Sequence, residues 1–287
     1  MEIFISVKND DYDDNFSFEA LTTCFIPSPN LQHLTIPSCP FPSPINAAPR
    51  ISTITSMSVF NTFPSMMVEN FLPSLEVAKH LERFYFYSKD TYSWDETARL
   101  DYSPIAHVES LRSIDVTAPG MGTDFMRNLE APVLSHARLD GWRRHYNPKY
   151  DKLTFKGQMK AEPISAALQR TSIRSPLLRS LQLEFIRLYK PDEEFPNILT
   201  GNWFPNLEEL LLKEVSVKDQ HFIEAARSST PLKQLAVFKC KHVSARGLRP
   251  FVVGRQHGFS LTIELRPKVS SKAFKALSAL CNITVRR

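Results

Sequence analysis

Apolar residues recur along this chain in short groups of the form L-x-x-L-x-L, in which the later apolar positions alternate with polar ones. The clearest two groups start at Leu207 and at Leu232, 25 residues later. Alternation with a period of two predicts a short strand that buries one face. A single short strand cannot bury that face alone, so neighbouring groups have to stack on one another. The pattern therefore predicts an array of stacked strands.

The same group can be followed in both directions from this pair. Successive groups start mostly 23 to 30 residues apart, which indicates one continuous array of about nine or ten units. The segments between groups carry apolar residues at three- and four-residue spacing, which predicts helices. Strands are expected at 3–7 and at the groups that start at Leu31, Ile54, Leu81, Leu111, Leu134, Leu178, Leu207, Leu232, Leu261 and Leu280, and helices at 124–129, 163–169, 219–227, 248–255 and 271–280.

A repeat of 20 to 29 residues with this strand pattern is the signature of leucine-rich repeats. The expected fold is α/β, a leucine-rich-repeat solenoid that forms a single domain over residues 1–287. A curved parallel sheet would line its concave face, and helices and loops would cover its convex face. A terminal strand has no neighbour on one side, so we expect an exposed apolar edge at 280–285 or at 3–7.

The unit that starts at Leu232 carries further information, because it continues through Cys240 and Ser244 to Gly247. A free cysteine packs as a small apolar residue after the strand, and Ser244 stands where a helix N-cap is needed. The group that starts at Leu31 ends in Cys39 at the same position. These units resemble the cysteine-containing leucine-rich repeats of F-box/LRR proteins. The resemblance implies a substrate receptor of a cullin-based ubiquitin ligase, with all catalysis elsewhere in the complex.

The F-box itself is not recognisable in this chain. Proteins of this kind carry an N-terminal helical module, whereas Met1 opens directly onto the expected strand at 3–7. We therefore expect either that the chain is a fragment or that the ligase connection does not apply, and a ligase adaptor is a partner only if a docking module exists. The alternative function is a free-standing leucine-rich-repeat scaffold or inhibitor that binds a protein without ubiquitin chemistry.

Composition places the chain in the ordinary globular class, with 43% hydrophobic and 23% charged residues. No secretory signal is recognisable, because the acidic run at 10–14 follows the first apolar residues at once. No apolar stretch approaches the roughly 18 residues that a membrane span requires.

The four cysteines are scattered, which favours free thiols. We expect a monomer in the cytoplasm or nucleus, with no membrane partner.

Charge is divided unevenly along the chain. Residues 1–135 contain 8 Lys+Arg and 17 Asp+Glu, a net charge of −9, whereas residues 136–287 contain 27 and 13, a net charge of +14. The basic half suggests an acidic partner. The alternative is a solvated convex surface.

One interval breaks the repeat, since 44 residues separate Leu134 from Leu178. The excess predicts a loop insertion at about 141–161, and insertions in repeat arrays often serve binding. Its cations alternate with aromatic residues, which suits a protein contact or a nucleic acid, while the alternative is a loop packed on the flank of the solenoid. No nucleic-acid-binding signature accompanies it, so nucleic acid is not the expected partner. The candidate residues are Trp142, Arg143, Arg144, Tyr146 and Tyr150.

The sequence offers no constellation for catalysis, so we expect a protein that is not an enzyme and uses no metal or other cofactor. Cys240 and His242 lack a second ligand pair at the spacing of a zinc site. Gly120 and Gly122 lack the third glycine and the lysine of a phosphate-binding loop.

The outward positions of the strands are the expected binding surface for a protein partner. Tyr85, Tyr87 and Phe238 stand out, because aromatic residues are enriched in interface hot spots. The alternative for any single position is a solvated strand face. The candidates are Arg83, Tyr85, Tyr87, Asp115, His136, Arg138, Asp140, Gln182, Glu184, Glu209, Lys213 and Phe238, with Gln234, Glu264 and Arg266 at further outward positions.

Overall fold

The computed structural model describes residues 2–4, 31–37, 52–60, 75–87, 105–117, 126–141, 161–186, 188, 190–255, 258–264 and 271–285. They fall into two compact units, residues 1–134 (unit 1) and residues 135–287 (unit 2). Each unit is built on short parallel strands, and each is described by itself below. The expectation of a single domain over the whole chain stays a prediction.

Unit 1 contains parallel strands that pair in the order in which they occur along the chain. Each lies at a position that the apolar groups predict. They are β1 (Glu2–Phe4), β2 (His33–Pro37), β3 (Ser56–Phe60), β4 (Arg83–Tyr87) and β6 (Ser113–Thr117), while two shorter strands, β5 (Ala106–His107) and β7 (Leu129–Glu130), pair with each other.

The helix expected over 124–129 is wrong at its end, because Leu129 lies in β7 and pairs with Ala106. The backbone N–H of Ala106 donates to the carbonyl oxygen of Asn128 over 2.8 Å, and that of Val108 donates to the carbonyl oxygen of Glu130 over 2.9 Å. These bonds form a parallel ladder between distant segments. Tertiary pairing here overrides an apolar spacing that also fits a helix.

Unit 2 alternates parallel strands with helices. Its strands also pair in chain order, as expected when each helix returns the chain to the same end of the sheet. The elements are β8 (His136–Asp140), α1 (Ala161–Arg174), β9 (Ser180–Glu184), α2 (Pro191–Leu199), β10 (Glu209–Lys213), α3 (Asp219–Glu224) with a 3-10 turn (Ala225–Arg227), β11 (Gln234–Phe238), α4 (Ala245–Val253), β12 (Ser260–Glu264), α5 (Ser271–Ser278) and β13 (Asn282–Val285).

The helices expected at 163–169, 219–227, 248–255 and 271–280 are confirmed, with boundaries shifted by a few residues. Helix α2 is not among the predicted helices, and Pro196 stands inside it. Two signals for this helix are nevertheless present in the sequence. Pro191 occupies the first helical position, where it is tolerated, and Asp192 follows in the first turn, where the helix dipole favours an acid.

Alternate positions of each strand form the core. In β10, Leu210 and Leu212 are buried while Glu209 is exposed and Leu211 is half-buried, and β4 shows the same alternation. Burying one leucine contributes roughly 1.5–3 kcal/mol. Many such contributions, summed along the strands, stabilise each unit.

Cys240 is fully buried as a free thiol two residues after the end of β11. Its sulfur lies 3.5 Å from the carbonyl oxygen of Phe238 and 3.7 Å from that of Leu212, so the thiol can donate weakly to either strand. Burial raises the pKa of the Cys240 thiol to about 11, which keeps it protonated. The expectation of a buried cysteine at this position is confirmed, whereas Cys39 lies outside the described residues.

Neighbouring helices are joined at their N-terminal ends by an aspartate. The carboxylate of Asp219, the first residue of α3, accepts hydrogen bonds from the backbone N–H and the hydroxyl of Ser244, both over 2.6 Å. Ser244 is the N-cap of α4, as expected, and its hydroxyl accepts from the N–H of Gly247. A Cβ at Gly247 would collide with the Asp219 side chain, so this close approach requires glycine.

A second aspartate makes the equivalent connection between α2 and α3. Asp192 accepts hydrogen bonds from Lys218 Nζ over 2.7 Å and from Nε2 of the buried His221 over 2.8 Å. Nδ1 of His221 accepts from the backbone N–H of Lys218 over 3.2 Å, which places the ring proton on Nε2. The ring also stacks on Phe195 with centroids 5.4 Å apart. Hydrogen bonds from Lys218 and His221 hold the pKa of Asp192 below its ordinary value.

The C-terminal ends of α3 and α4 are joined by an arginine. The guanidinium of Arg255 donates to the carbonyl oxygens of Ser228 over 2.8 Å and of Ala225 over 3.2 Å, and it lies 4.0 Å from the centre of the Phe251 ring. Burial lowers the pKa of Arg255 to about 10, so the side chain stays charged near neutral pH. Helices α3 and α4 are therefore tied to each other at both ends.

The exposed apolar edge expected at 280–285 is confirmed. Leu280 and Val285 are both exposed although their side chains are large and apolar. β13 pairs with β12 in the described part of unit 2, and its own residues are mostly exposed. The other location expected for an exposed apolar edge is 3–7, and the side chains of that segment lie outside the part of the chain that the structure describes.

Native alkylation tests the burial of Cys240. We expect iodoacetamide to leave Cys240 unmodified in the folded protein and to modify it fully in denaturant, as measured by peptide mass spectrometry. The half-buried Cys281 serves as the internal reference, because it is more accessible in the same protein. Equal modification rates at the two cysteines in the folded state would contradict the burial described here.

Substitution of Asp219 tests the connection between α3 and α4. We expect Asp219→Ala to lower the free energy of unfolding by about 1–2 kcal/mol, because it removes an acceptor that fixes a helix N-cap. Denaturant melts of Asp219→Ala, Ser244→Ala and the double variant should show non-additive losses. Gln220→Ala, at an exposed position of the same helix, is the control. Additive losses would show that the two side chains act separately.

Candidate functional site

The outward strand positions form the candidate site, and the structure places them as the alternation predicts. In β4, Arg83 is exposed while Tyr85 and Tyr87 are half-buried; their neighbours Phe84 and Phe86 are buried. The orientation of these side chains is thus observed. Their role in binding stays a prediction.

In unit 1 the outward positions bring three aromatic rings together. The Phe60 ring lies 5.4 Å from that of Tyr85 and 6.2 Å from that of Tyr87, centre to centre, and both pairs are tilted by just over 50°. Tilted contacts at such distances are favourable between aromatic rings. We call Phe60, Tyr85 and Tyr87 the aromatic cluster. It provides a large contact area on three half-buried side chains of two neighbouring strands.

Phe60 was not among the predicted site residues. Its strand belongs to the group that starts at Ile54, whose outward positions are not among the predicted candidates. The signal was present, because Ser56, Ser58 and Phe60 alternate with the apolar Met57 and Val59. Register pairing then places Phe60 beside Tyr87, which is a fact of strand alignment that sequence spacing alone does not give.

Small polar side chains surround the aromatic cluster. Ser58 pairs in register with Tyr85 on one side and Asp115 pairs with it on the other. Asp115, Tyr85 and Tyr87 also take part in further interactions within the protein. A surface of tyrosine among short polar residues offers rigid contact area together with hydrogen-bonding groups.

In unit 2 the outward positions of β8, β9 and β10 form an ion network. Glu184 accepts from Arg138 Nε over 2.8 Å and from Lys213 Nζ over 2.6 Å, and Arg138 also donates to Asp140 over 3.0 Å. Lys213 lies 5.0 Å from the centre of the Phe185 ring. We call Arg138, Asp140, Glu184 and Lys213 the ion network. Its two positive and two negative side chains pair with one another across β8, β9 and β10.

Glu184 is the centre of this network and is only 5% exposed. Burial by itself raises the pKa of this carboxyl, but the hydrogen bonds and positive charges of Lys213 and Arg138 together outweigh it. The pKa of Glu184 therefore lies below its ordinary value. A buried carboxylate held by two cations serves the packing of strands more directly than it serves an external ligand.

Other predicted positions differ in how much surface they offer. Phe238 is 7% exposed, so it presents little contact area despite standing on the outward row of β11. His136 and Glu209 are exposed and Gln182 is half-buried. The hydroxyl of Ser135 lies 2.8 Å from Nδ1 of His136. The structure thus separates accessible candidates from buried ones, which the alternation rule treats alike.

The backbone directly after β9, β10 and β11 extends the ladder by one residue. Phe185, Glu214 and Lys239 have φ values of 54°, 50° and 53°, in the left-handed region, and the N–H of each donates to the last carbonyl of the following strand. Such conformations cost roughly 1–2 kcal/mol for residues other than glycine. The ladder bonds, 2.6–2.8 Å long, offset this cost.

Gly141 occupies the corresponding place after β8, at the start of the expected insertion. Its N–H donates to the backbone carbonyl oxygen of Glu184 over 2.9 Å, and a Cβ there would lie 2.7 Å from the carbonyl oxygen of Phe185. Only glycine allows that approach. The candidate binding residues of the insertion that follow it, Trp142, Arg143, Arg144, Tyr146 and Tyr150, lie outside the described residues.

Within the described residues, no three His, Cys, Asp or Glu side chains are grouped as a metal would require. Among the helices of that same part of the chain, none is both long and apolar enough to cross a membrane.

No protein-family model matches this chain, and no curated protein matches it either. Among solved structures, a protein from Bacteroides fragilis aligns with 93% of this chain and 69% of its own, at 12% sequence identity and a TM-score of 0.49. A likeness at this level carries no argument about function.

Acidification tests the ion network. The folded pKa of Glu184 is depressed from its ordinary 4.5, so its contribution to stability is present above that value and is lost as the pH falls through the folded pKa. We expect Glu184→Gln to flatten the fall of unfolding free energy with pH below about 4.5. Glu209→Gln, on the exposed start of the next strand, is the control. An unchanged pH profile in Glu184→Gln would contradict the network.

Proposed function

We propose that this chain is a non-catalytic protein-binding scaffold that contacts its partner through the outward strand face of unit 1. The aromatic cluster carries the proposal. Three aromatic side chains, among short polar residues and adjacent to the exposed Arg83, form the kind of patch in which binding energy concentrates. The ion network of unit 2, in contrast, already satisfies its own charges.

We further propose that the strand–helix units are leucine-rich repeats of the cysteine-containing subtype. Support comes from the spacing of the strands, from the burial of Cys240 directly after its strand, and from Ser244 as the following helix cap. On this basis the chain would be the substrate-recognition part of an F-box-like ubiquitin-ligase receptor in the cytoplasm or nucleus. It would act as a monomer, without a cofactor, and would present a substrate to catalytic subunits elsewhere in the complex.

The second candidate function is a free-standing binding scaffold or inhibitor with no ubiquitin chemistry. The aromatic cluster supports it as well, because a contact surface of this kind needs no ligase subunit to bind a protein. Both candidates use the same strand face, so they differ only in whether ligase subunits accompany the partner.

Affinity capture with the whole chain separates the two. Recovery of a cullin and its adaptor together with a further protein would support the receptor, whereas a stable partner without them would support the free-standing scaffold. In either case we expect Tyr85→Ala/Tyr87→Ala to weaken the purified partner's binding by at least tenfold, which corresponds to about 1.4 kcal/mol.

A matched control keeps this result interpretable. Thr262→Ala/Thr284→Ala changes two outward strand positions of unit 2 and should leave the affinity within about twofold. Thermal melts should show that both variants fold. If the tyrosine variant folds and binds as tightly as the wild type, the aromatic cluster is not the binding site.

A further inference from the structure

The inward positions of β13 are exposed, although the same positions are buried on the strand beside it. Ile283 pairs in register with Leu261, and Val285 pairs with Ile263. Leu261 and Ile263 are completely buried, whereas Val285 is 37% exposed and Ile283 is half-buried. Each strand from β9 to β12 pairs with the strand that follows it, while among the described residues β13 pairs with β12 alone. One further strand would therefore complete the packing at this edge.

Leu280 extends the same exposed strip. It begins the apolar group of β13, three residues before Ile283, and its counterpart in the group of β11 is Leu232. Leu232 is only 6% exposed, whereas Leu280 is 43% exposed. Ala276, which precedes Leu280 by four residues on α5, is exposed as well. Apolar side chains that are exposed together in this way mark an interaction surface.

The backbone of β13 offers hydrogen-bonding groups on the side away from β12. The N–H of Asn282 donates to the carbonyl oxygen of Phe259, which leads into β12. In a parallel ladder the N–H and C=O groups of successive residues point alternately to the two sides of the strand. Those of Ile283 and Val285 therefore point away from β12. An edge strand with such groups is a template for a further extended segment.

The segment that carries this edge is basic. Residues 265–287 contain six Lys+Arg and no Asp or Glu. Lys272 and Lys275 on α5 are both exposed. Glu264, at the end of β12, already lies 3.6 Å from the Nζ of Lys239. Charge complementarity therefore favours acidic residues in a segment that adds to this edge, and it disfavours pairing of β13 with β13 of a second copy.

We propose that β13 binds an extended, acidic segment of a partner protein, which adds to the sheet as a further strand. The backbone of that segment pairs with the N–H and C=O groups of Ile283 and Val285. Its apolar residues, at alternate positions, cover the side chains of Leu280, Ile283 and Val285, and its carboxylates face the cations. In strand addition the main-chain hydrogen bonds provide affinity and the alternate side chains provide specificity. None of these residues belongs to the strand face of unit 1 that carries the proposed function.

The test uses the full chain and a fluorescein-labelled synthetic peptide, in which five residues that alternate threonine and valine stand between pairs of glutamates. We expect binding, measured by fluorescence anisotropy, that weakens as salt is raised. A second peptide carries N-methyl groups on its threonines. Its side chains are unchanged, but it lacks the N–H donors that would face β13, because the outward residues of β13 direct their backbone to β12 in the same way. It should bind at least tenfold more weakly.

Val285→Pro is the corresponding change in the protein. It removes an N–H that points away from β12, so the existing ladder is retained, and proline is tolerated at such edge positions. We expect Val285→Pro and Leu280→Ser each to weaken peptide binding about tenfold. Ile223→Ser, which changes an exposed aliphatic residue of α3, is the matched control and should alter the affinity by less than about twofold. Thermal melts should show that all three variants fold.

A second pair of variants tests the charge. Lys272→Gln/Lys275→Gln should weaken binding about threefold and reduce its dependence on salt. Lys241→Gln/Arg246→Gln removes two cations near the start of α4 and should leave both the affinity and the salt dependence unchanged.

Three outcomes would overturn the proposal. Equal binding of the N-methylated peptide would show that no strand is added, and equal binding of a peptide with lysine in place of glutamate would remove the charge argument. Assemblies of the wild type that Val285→Pro converts to monomers would assign the edge to self-association. The Tyr85→Ala/Tyr87→Ala variant should bind the peptide as the wild type does, so failure here and failure of the proposed function are distinguishable.

Discussion

Burial of alternate positions on very short strands is the constraint on which both units depend. A five-residue strand such as β10 can bury only its two inward leucines, so it is stable only beside further strands with the same alternation. The same requirement determines the orientation of the outward residues. Once the inward residues are committed to the core, the outward ones must face away from it, and these are free to vary in chemistry.

The two units use that freedom differently. In unit 1 the outward positions of β3 and β4 bring Phe60, Tyr85 and Tyr87 into contact. In unit 2 the corresponding positions of β8 to β10 are occupied by charges that neutralise one another around Glu184. A surface that satisfies its own charges has less to gain from a partner than an aromatic surface does, because binding would first have to disrupt existing pairs.

The helices of unit 2 show a similar division between structure and surface. Their N-terminal ends are held together by Asp192 and Asp219, whose carboxylates reach the cap region of the next helix. The C-terminal ends of α3 and α4 are held by the half-buried Arg255, yet aliphatic side chains such as Ile223 and Val253 are exposed there. Internal contacts therefore hold both ends of this helix pair and still leave side chains at its C-terminal end exposed to solvent.

The sequence by itself determined the positions of every described strand except β5 and β7, most of the helices, the outward side of each predicted strand and the packing role of Cys240. These follow from local periodicity and residue size, which are readable along the chain. Tertiary structure alone decided which outward residues meet, because register between strands is set by the whole stack. It placed Phe60 against the tyrosines, buried Phe238, and joined Glu184 to Lys213 across two strands. It also drew Leu129 into a strand, because its partner lies more than twenty residues earlier in the chain.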